Sequence, residues 1–217
     1  MVDLALRMLL HDRMRFLITV SGVAFAVNLI LSQVGLFLGL LHNSSVIVRN
    51  IPADVWVTSK NTPNVDFAQP FPETYVNRVR SIPGVQRADN LIVTFVNMTL
   101  PSGATEGSVT YAMEDLAAWN LPWEVEGGDV RDLRRGNFLF TDASAERRIG
   151  AFQVRDYREV QGLRMRYAGR SRGATSFTTT PVSFMDYRLA QRLNPNILSG
   201  ATTYTLVKAE TGVDLQA

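Results

Sequence analysis

The chain has 217 residues, of which 46% are hydrophobic and 19% charged, with a net charge of +2 and no cysteine. That balance excludes both a disordered chain and one embedded in a membrane throughout, and the missing cysteines exclude disulfides and thiol chemistry. The pI near 9.1 invites a nucleic-acid reading, but from residue 42 onward 19 Lys and Arg are interspersed with 18 Asp and Glu. No long basic stripe results, which argues against nucleic acid as a partner.

The first element is an uncharged apolar run of 26 residues, Phe16 to Leu41, preceded by Arg7, Arg13 and Arg15. About 20 apolar residues suffice to cross a hydrocarbon layer roughly 30 Å thick. The expected organisation is a cytoplasmic N-terminus (1–15), a transmembrane helix (16–41) and an extracytoplasmic domain (42–217), because arginines favour the cytoplasmic side. Two other readings compete. Ala24-Phe25-Ala26 fits a signal-peptidase site, yet apolarity continues for fifteen residues beyond it, past the usual signal length. A buried helix of a soluble protein rarely runs this long without a charge.

Within the span, Ser21, Ala24, Asn28, Ser32, Gly35 and Gly39 are spaced three or four apart and form one stripe. Small residues let helix backbones approach in lipid, and Asn28 can hydrogen-bond across. This stripe is the candidate helix-packing face.

The outer domain reads as α+β and strand-rich, as one unit or two lobes. Residues 53–58 have the β-branched and aromatic content of a strand. A Pro-rich loop (62–72) follows, then a helix expected to start at Pro72, with Glu73 in its first turn and Pro83-Gly84 ending it. Leu91–Leu100 and Ser108–Met113 read as strands paired through Pro101-Ser102-Gly103. The stretch 114–136 is loop-rich, with a short helix expected near Val130–Arg135. Phe138–Thr141 reads as a strand and Ala143–Ile149 as a helix stopped by Gly150. Arg155–Val160, Gln161-Gly162 and alternating Leu163, Met165 and Tyr167 form a hairpin. Ser183-Phe184-Met185-Asp186 fits a capping box opening a helix that ends before Asn194-Pro195. Thr202, Tyr204 and Leu206 mark a last strand.

Signatures of catalysis are scarce, and no catalytic, cofactor or metal residues are assigned. The two histidines, His11 and His42, flank the span, no cluster has metal-ligand spacing, and no phosphate-cradling glycine loop or nucleophile elbow occurs. Glu114-Asp115 and Glu124/Glu126 could pair for acid–base work, although solvated loop carboxylates are far commoner.

A basic N-terminus, one span, and an outer domain opening with Ala53-Asp54-Val55-Trp56-Val57 resemble the MacB/FtsX-like ABC transporter permeases, the DevC-like subfamily most closely. The resemblance extends through Phe71-Pro72-Glu73 to Ser81-Ile82-Pro83-Gly84-Val85, through Phe138–Asp142 and the following helix, through Glu159–Gly162, and through Ser176-Phe177 to Pro181. It implies the first membrane helix and most of a periplasmic core domain of two lobes, which in the family precedes three further spans. It also implies a bacterial inner-membrane location, a permease homodimer, a separate cytoplasmic ATPase chain, and a periplasmic adaptor. Hydrolysis would move the membrane helices, and that motion would be relayed outward to drive cargo. The sequence holds one span and closes on Val213-Asp214-Leu215-Gln216-Ala217, where a helix is expected to begin, so the resemblance is to the N-terminal portion. The rival reading is a single-pass anchored binding or sensor domain without an ATPase; an anchored enzyme would need a site the sequence does not display.

A reporter active only outside the cytoplasm, fused at Ala217, should be active; a signal from a cytoplasm-only reporter would reverse the topology, and a mature N-terminus at Val27 would indicate cleavage.

Overall fold

The computed structural model describes residues 11, 13–176, 178 and 180–213; Arg7, Phe177 and the expected C-terminal helix start at 214–217 lie outside them. One helix, α1 (Arg13–Asn50), is long and apolar enough to cross a membrane, with a mean hydropathy of 2.0 over its most apolar stretch. It outruns the apolar segment by nine residues, from His42 to Asn50. The chain divides into two compact units, residues 1–42 and 43–217, so the last turns of α1 belong to the second. There Val46 and Ile47, with Ile51, are buried in the domain core.

The second unit is mixed α/β and strand-rich. Its strands are β1 (Val55–Thr58), β2 (Phe71–Pro72), β3 (Val85–Thr99), β4 (Thr105–Met113), β5 (Val125–Gly128), β6 (Phe138–Asp142), β7 (Tyr157–Val160), β8 (Leu163–Ser171), β9 (Val182–Asp186), β10 (Ala201–Thr202) and β11 (Tyr204–Ala209). Short helices α2 (Tyr75–Arg80), α3 (Glu146–Ile149), α4 (Tyr187–Leu193) and α5 (Pro195–Leu198) punctuate them, with 3₁₀ turns at Ala117–Trp119, Val130–Arg135 and Ala143–Ala145.

Among the described residues nine strands form one sheet in the order β1-β11-β3-β4-β9-β6-β8-β5, while β7 pairs with both β3 and β8. That double pairing closes β3, β4, β9, β6, β8 and β7 into a ring. Two pairs, β4 with β9 and β6 with β8, are parallel; the rest are antiparallel. Residues inside the ring, among them Ile92, Val96, Met98, Leu139, Met165, Tyr167 and Met185, form one core with Phe152 and Leu189. The opposite sheet face carries Leu91, Val93, Tyr111, Phe140, Phe184 and Leu206, covered by Trp119, Leu121, Trp123 and the end of α1. Where two lobes are expected, two cores therefore sit on opposite faces of a shared sheet.

The hairpins follow the sequence reading. β3 and β4 pair from Leu91 with Met113 to Thr99 with Thr105. The β7–β8 turn uses Gln161 and Gly162, both at positive φ, the geometry that matches strand twist in a two-residue turn.

Two expectations fail. Residues 183–186 lie in strand β9, not in a capping box, and only Asp186 caps a helix, its side chain accepting from Arg188 N at 2.9 Å. β9 is flanked by β4 and β6 and buried on both faces, so its residues read as a continuous run without strand alternation. Ser183 is buried and shares hydrogen bonds with Ser108 at 3.0 Å and Thr110 at 2.7 Å. Nor does a helix start at Pro72: Pro72 pairs with Ala201 in a two-stranded ribbon, and α2 spans only six residues.

The ring is tight at Gly169, where an added Cβ would overlap the Phe140 ring and the Gly127 carbonyl. Gly169→Ala should lower stability by roughly 1–3 kcal/mol, whereas Gly107→Ala, which meets open space in a strand, should be neutral or slightly stabilising. Chemical denaturation of both variants checks this.

Candidate functional site

Two adjoining cavities of about 600 and 230 Å³ share Glu73, Glu114 and Tyr187. Local structure converges Glu73 and Tyr187. Glu73 follows β2, and its amide donates to Gly200 O at 3.1 Å, which fixes the loop against α5 and β10. Its carboxylate accepts from Tyr187 Oη at 3.0 Å and Gln191 Nε2 at 2.8 Å, one turn apart on α4. Asn90 Nδ2 on β3 donates to Glu73 O at 2.9 Å. Burial, reinforced by the Glu73 carboxylate, pushes the Tyr187 hydroxyl well above the ordinary phenol range, so it stays a donor at any physiological pH. Arg188 and Arg192 complete the larger cavity.

Beside the smaller cavity, Asp89 on β3 accepts from Trp119 Nε1 at 2.8 Å, from Arg80 Nη2 at 3.0 Å, and from Arg87 Nε. Burial pushes this carboxyl up, but the bonds from Trp119, Arg87 and Arg80 outweigh it and hold Asp89 below the usual carboxylate range. A third carboxylate, Asp66, lies in the outer core and accepts from Tyr111 Oη at 2.8 Å and Ser176 Oγ at 2.6 Å. Burial, with Asp66 beside it, raises Tyr111 well above its ordinary value. Burial likewise pushes Tyr204 up to about 12, and its hydroxyl donates to the carbonyls of Asn64 and Val65.

Chemically these groups hold elements together. Among the described residues no group of His, Cys, Asp or Glu is arranged to hold a metal ion. The acid pairs separate: Glu114 lines the cavities, Asp115 pairs with Arg87 at 3.3 Å, and Glu126 pairs with Arg172. Sequence reading placed Glu73 at a helix start and left Tyr187 and Gln191 unremarked, since nothing local in the chain marks partners 114 to 118 residues away; Asp89, also unremarked, gathers partners 2, 9 and 30 residues away.

All six stripe residues, Ser21, Ala24, Asn28, Ser32, Gly35 and Gly39, lie exposed on α1. Ser32 Oγ donates to Asn28 Oδ1 at 3.2 Å, and a Cβ at Gly35 or Gly39 would meet nothing within 4 Å.

Asp89→Asn should destabilise the chain by roughly 1–3 kcal/mol at pH 7. The carboxyl is lowered on folding, so its contribution is present above the unfolded value near 3.9 and lost as pH falls through the folded value. The gap between wild type and variant, measured by denaturation in detergent, should therefore narrow only below about pH 4.

No family model matches the sequence, and no curated protein sequence matches it. Solved structures do. The extracellular domain of the noncanonic ABC-type transporter YknZ from Gram-positive bacteria matches with a TM-score of 0.51 at 10% identity, covering 66% of this chain and 75% of that one. The periplasmic region of MacB from Actinobacillus actinomycetemcomitans matches with a TM-score of 0.55 at 11% identity, covering 82% and 83%. A domain of a protein designated a permease from Porphyromonas gingivalis matches at 0.50 and 19% identity, covering 69% and 73%. At such identities the likeness is one of architecture: the chain has the fold of the extracytoplasmic domains of MacB and YknZ.

Proposed function

We propose that this chain is the N-terminal portion of a permease subunit of an ABC-type exporter. The observation that carries this is the pairing of one membrane-length apolar helix with a domain of the MacB periplasmic fold. In this reading α1 crosses the bacterial inner membrane with its N-terminus in the cytoplasm, and the domain lies outside. ATP hydrolysis resides in a separate cytoplasmic chain, the permease works as a homodimer, and a periplasmic adaptor receives the moving domain.

Physical features support a relay of motion. Val46 and Ile47 at the end of α1 are buried in the same core as Leu91, Val93 and Leu206, so a displacement of those helical turns must be followed by the sheet or must break packing, because close-packed interiors transmit strain. Glu73, Asp66 and Asp89 tie the loops to that sheet, which favours movement of the domain as one body. The stripe from Ser21 to Gly39 supplies a close-approach face for a second membrane helix.

The test is crosslinking of the chain in native membranes followed by identification of the captured proteins. An ATP-binding chain and a second permease chain should be recovered. Gly35→Leu and Gly39→Leu should reduce the yield more than Asn28→Leu, because a membrane hydrogen bond contributes only about 0.6 kcal/mol on average. Leu36→Ile and Leu38→Ile should leave it unchanged. Equal yields from all variants, with no ATP-binding chain captured, would support the single-pass anchored domain instead.

A further inference from the structure

The sheet has an unused edge. β1 pairs with β11 on one side, and among the described residues no strand pairs with its other side. Open strand edges present unpaired N–H and C=O groups. Here the edge adjoins a mostly apolar groove of about 350 Å³ between β1 and α2, lined by Val57, Phe71, Tyr75, Arg78, Val79 and Ile82. Tyr75 on α2 and Ile82 just after it are 42% and 54% exposed, so this side of the groove is only partly covered. Beneath the groove, Val57 packs with Val76, Val79, Ala88 and Val207, which makes its floor part of the folded core.

Charge marks the rim. Arg78 lies over the Tyr75 ring, 5.0 Å from its centroid, and Lys60 follows the end of β1; neither forms an ion pair among the described residues. Asp54, at the other end, is already engaged by Lys208 at 3.0 Å and by the amide of Ala209 at 2.9 Å. The open edge is therefore apolar on its groove side and cationic at its far end.

We propose that this edge receives an extended segment of another protein, with alternate apolar residues and at least one carboxylate, which pairs with β1 as an added strand. Such a strand would lie about 4.8 Å beyond β1, so alternate side chains would face the groove. Main-chain pairing supplies affinity, and the groove and Arg78 supply selection. This goes beyond the transporter reading and does not depend on it, since the edge would function equally on a single-pass anchored domain.

The test uses the full chain in detergent and a fluorescent synthetic nonapeptide alternating valine with threonine and carrying two glutamates. Saturable binding is expected, with slowed hydrogen exchange at the amides of Val55–Thr58. Arg78→Glu should weaken binding about tenfold, and a version of the peptide with lysines in place of the glutamates should recover it, as expected when like charges oppose. Ile82→Glu, at an exposed position, should weaken both peptides while leaving circular dichroism unchanged. Equal affinity across these variants, or protection arising elsewhere, would overturn the proposal and leave Lys60 and Arg78 as charges that guard the edge. Self-association through β1 that the peptide does not compete with would overturn it in favour of a second copy of the chain.

Discussion

Backbone pairing along β3 is the constraint on which the domain depends. This fifteen-residue strand pairs with β11 and β4 and, at its end, with β7. Its side chains alternate between the two large cores: Leu91 and Val93 enter one, Ile92, Val96 and Met98 the other. A slip of one residue would exchange the two sets and mispack both cores at once, so the register is strongly specified. Thr203 reinforces it, with its hydroxyl accepting from Val93 N at 2.7 Å.

Polar groups then hold what the strands leave loose. Asp66 draws in the loops before β2 and after β8, Glu73 joins β2 to α4, Asp89 gathers Trp119 and two arginines, and Asp142 accepts from Ser144 N and Ala174 N. Each carboxylate has two or more donors, and removing Asp66 would leave the buried Tyr111 hydroxyl without its partner, which costs more than the bond itself contributes. These four acids act as structural clamps between elements that the strands alone do not join.

The likeness to MacB and YknZ survives at 10–11% identity because burial periodicity and strand register need only side chains of suitable size and polarity at each position. Function attaches to the fold less tightly than the fold attaches to such patterns. That is why the transporter reading rests on the added presence of a membrane-length helix, and why its decisive test lies in the membrane.

Local signals in the sequence determined the long apolar helix, the β3–β4 and β7–β8 hairpins, and, to within a few residues, the strands read at 53–58, at 138–141 and around Thr202, Tyr204 and Leu206, since each depends on periodicity, turn residues or β-branched content within a few positions. The α+β, strand-rich class follows from the same signals. Tertiary structure alone decided that residues 182–186 form a doubly buried strand, since a capping pattern cannot reveal that both faces will be covered. It alone decided that the helix after Pro72 shrinks to six residues, because Pro72 and Glu73 are drawn to β10 and α4 instead. Closure of the ring by β7, the Glu73–Tyr187 clamp and the open edge of β1 all depend on residues far apart in the chain. Such pairings are set by the geometry of the packed sheet, and no run of neighbouring residues encodes them.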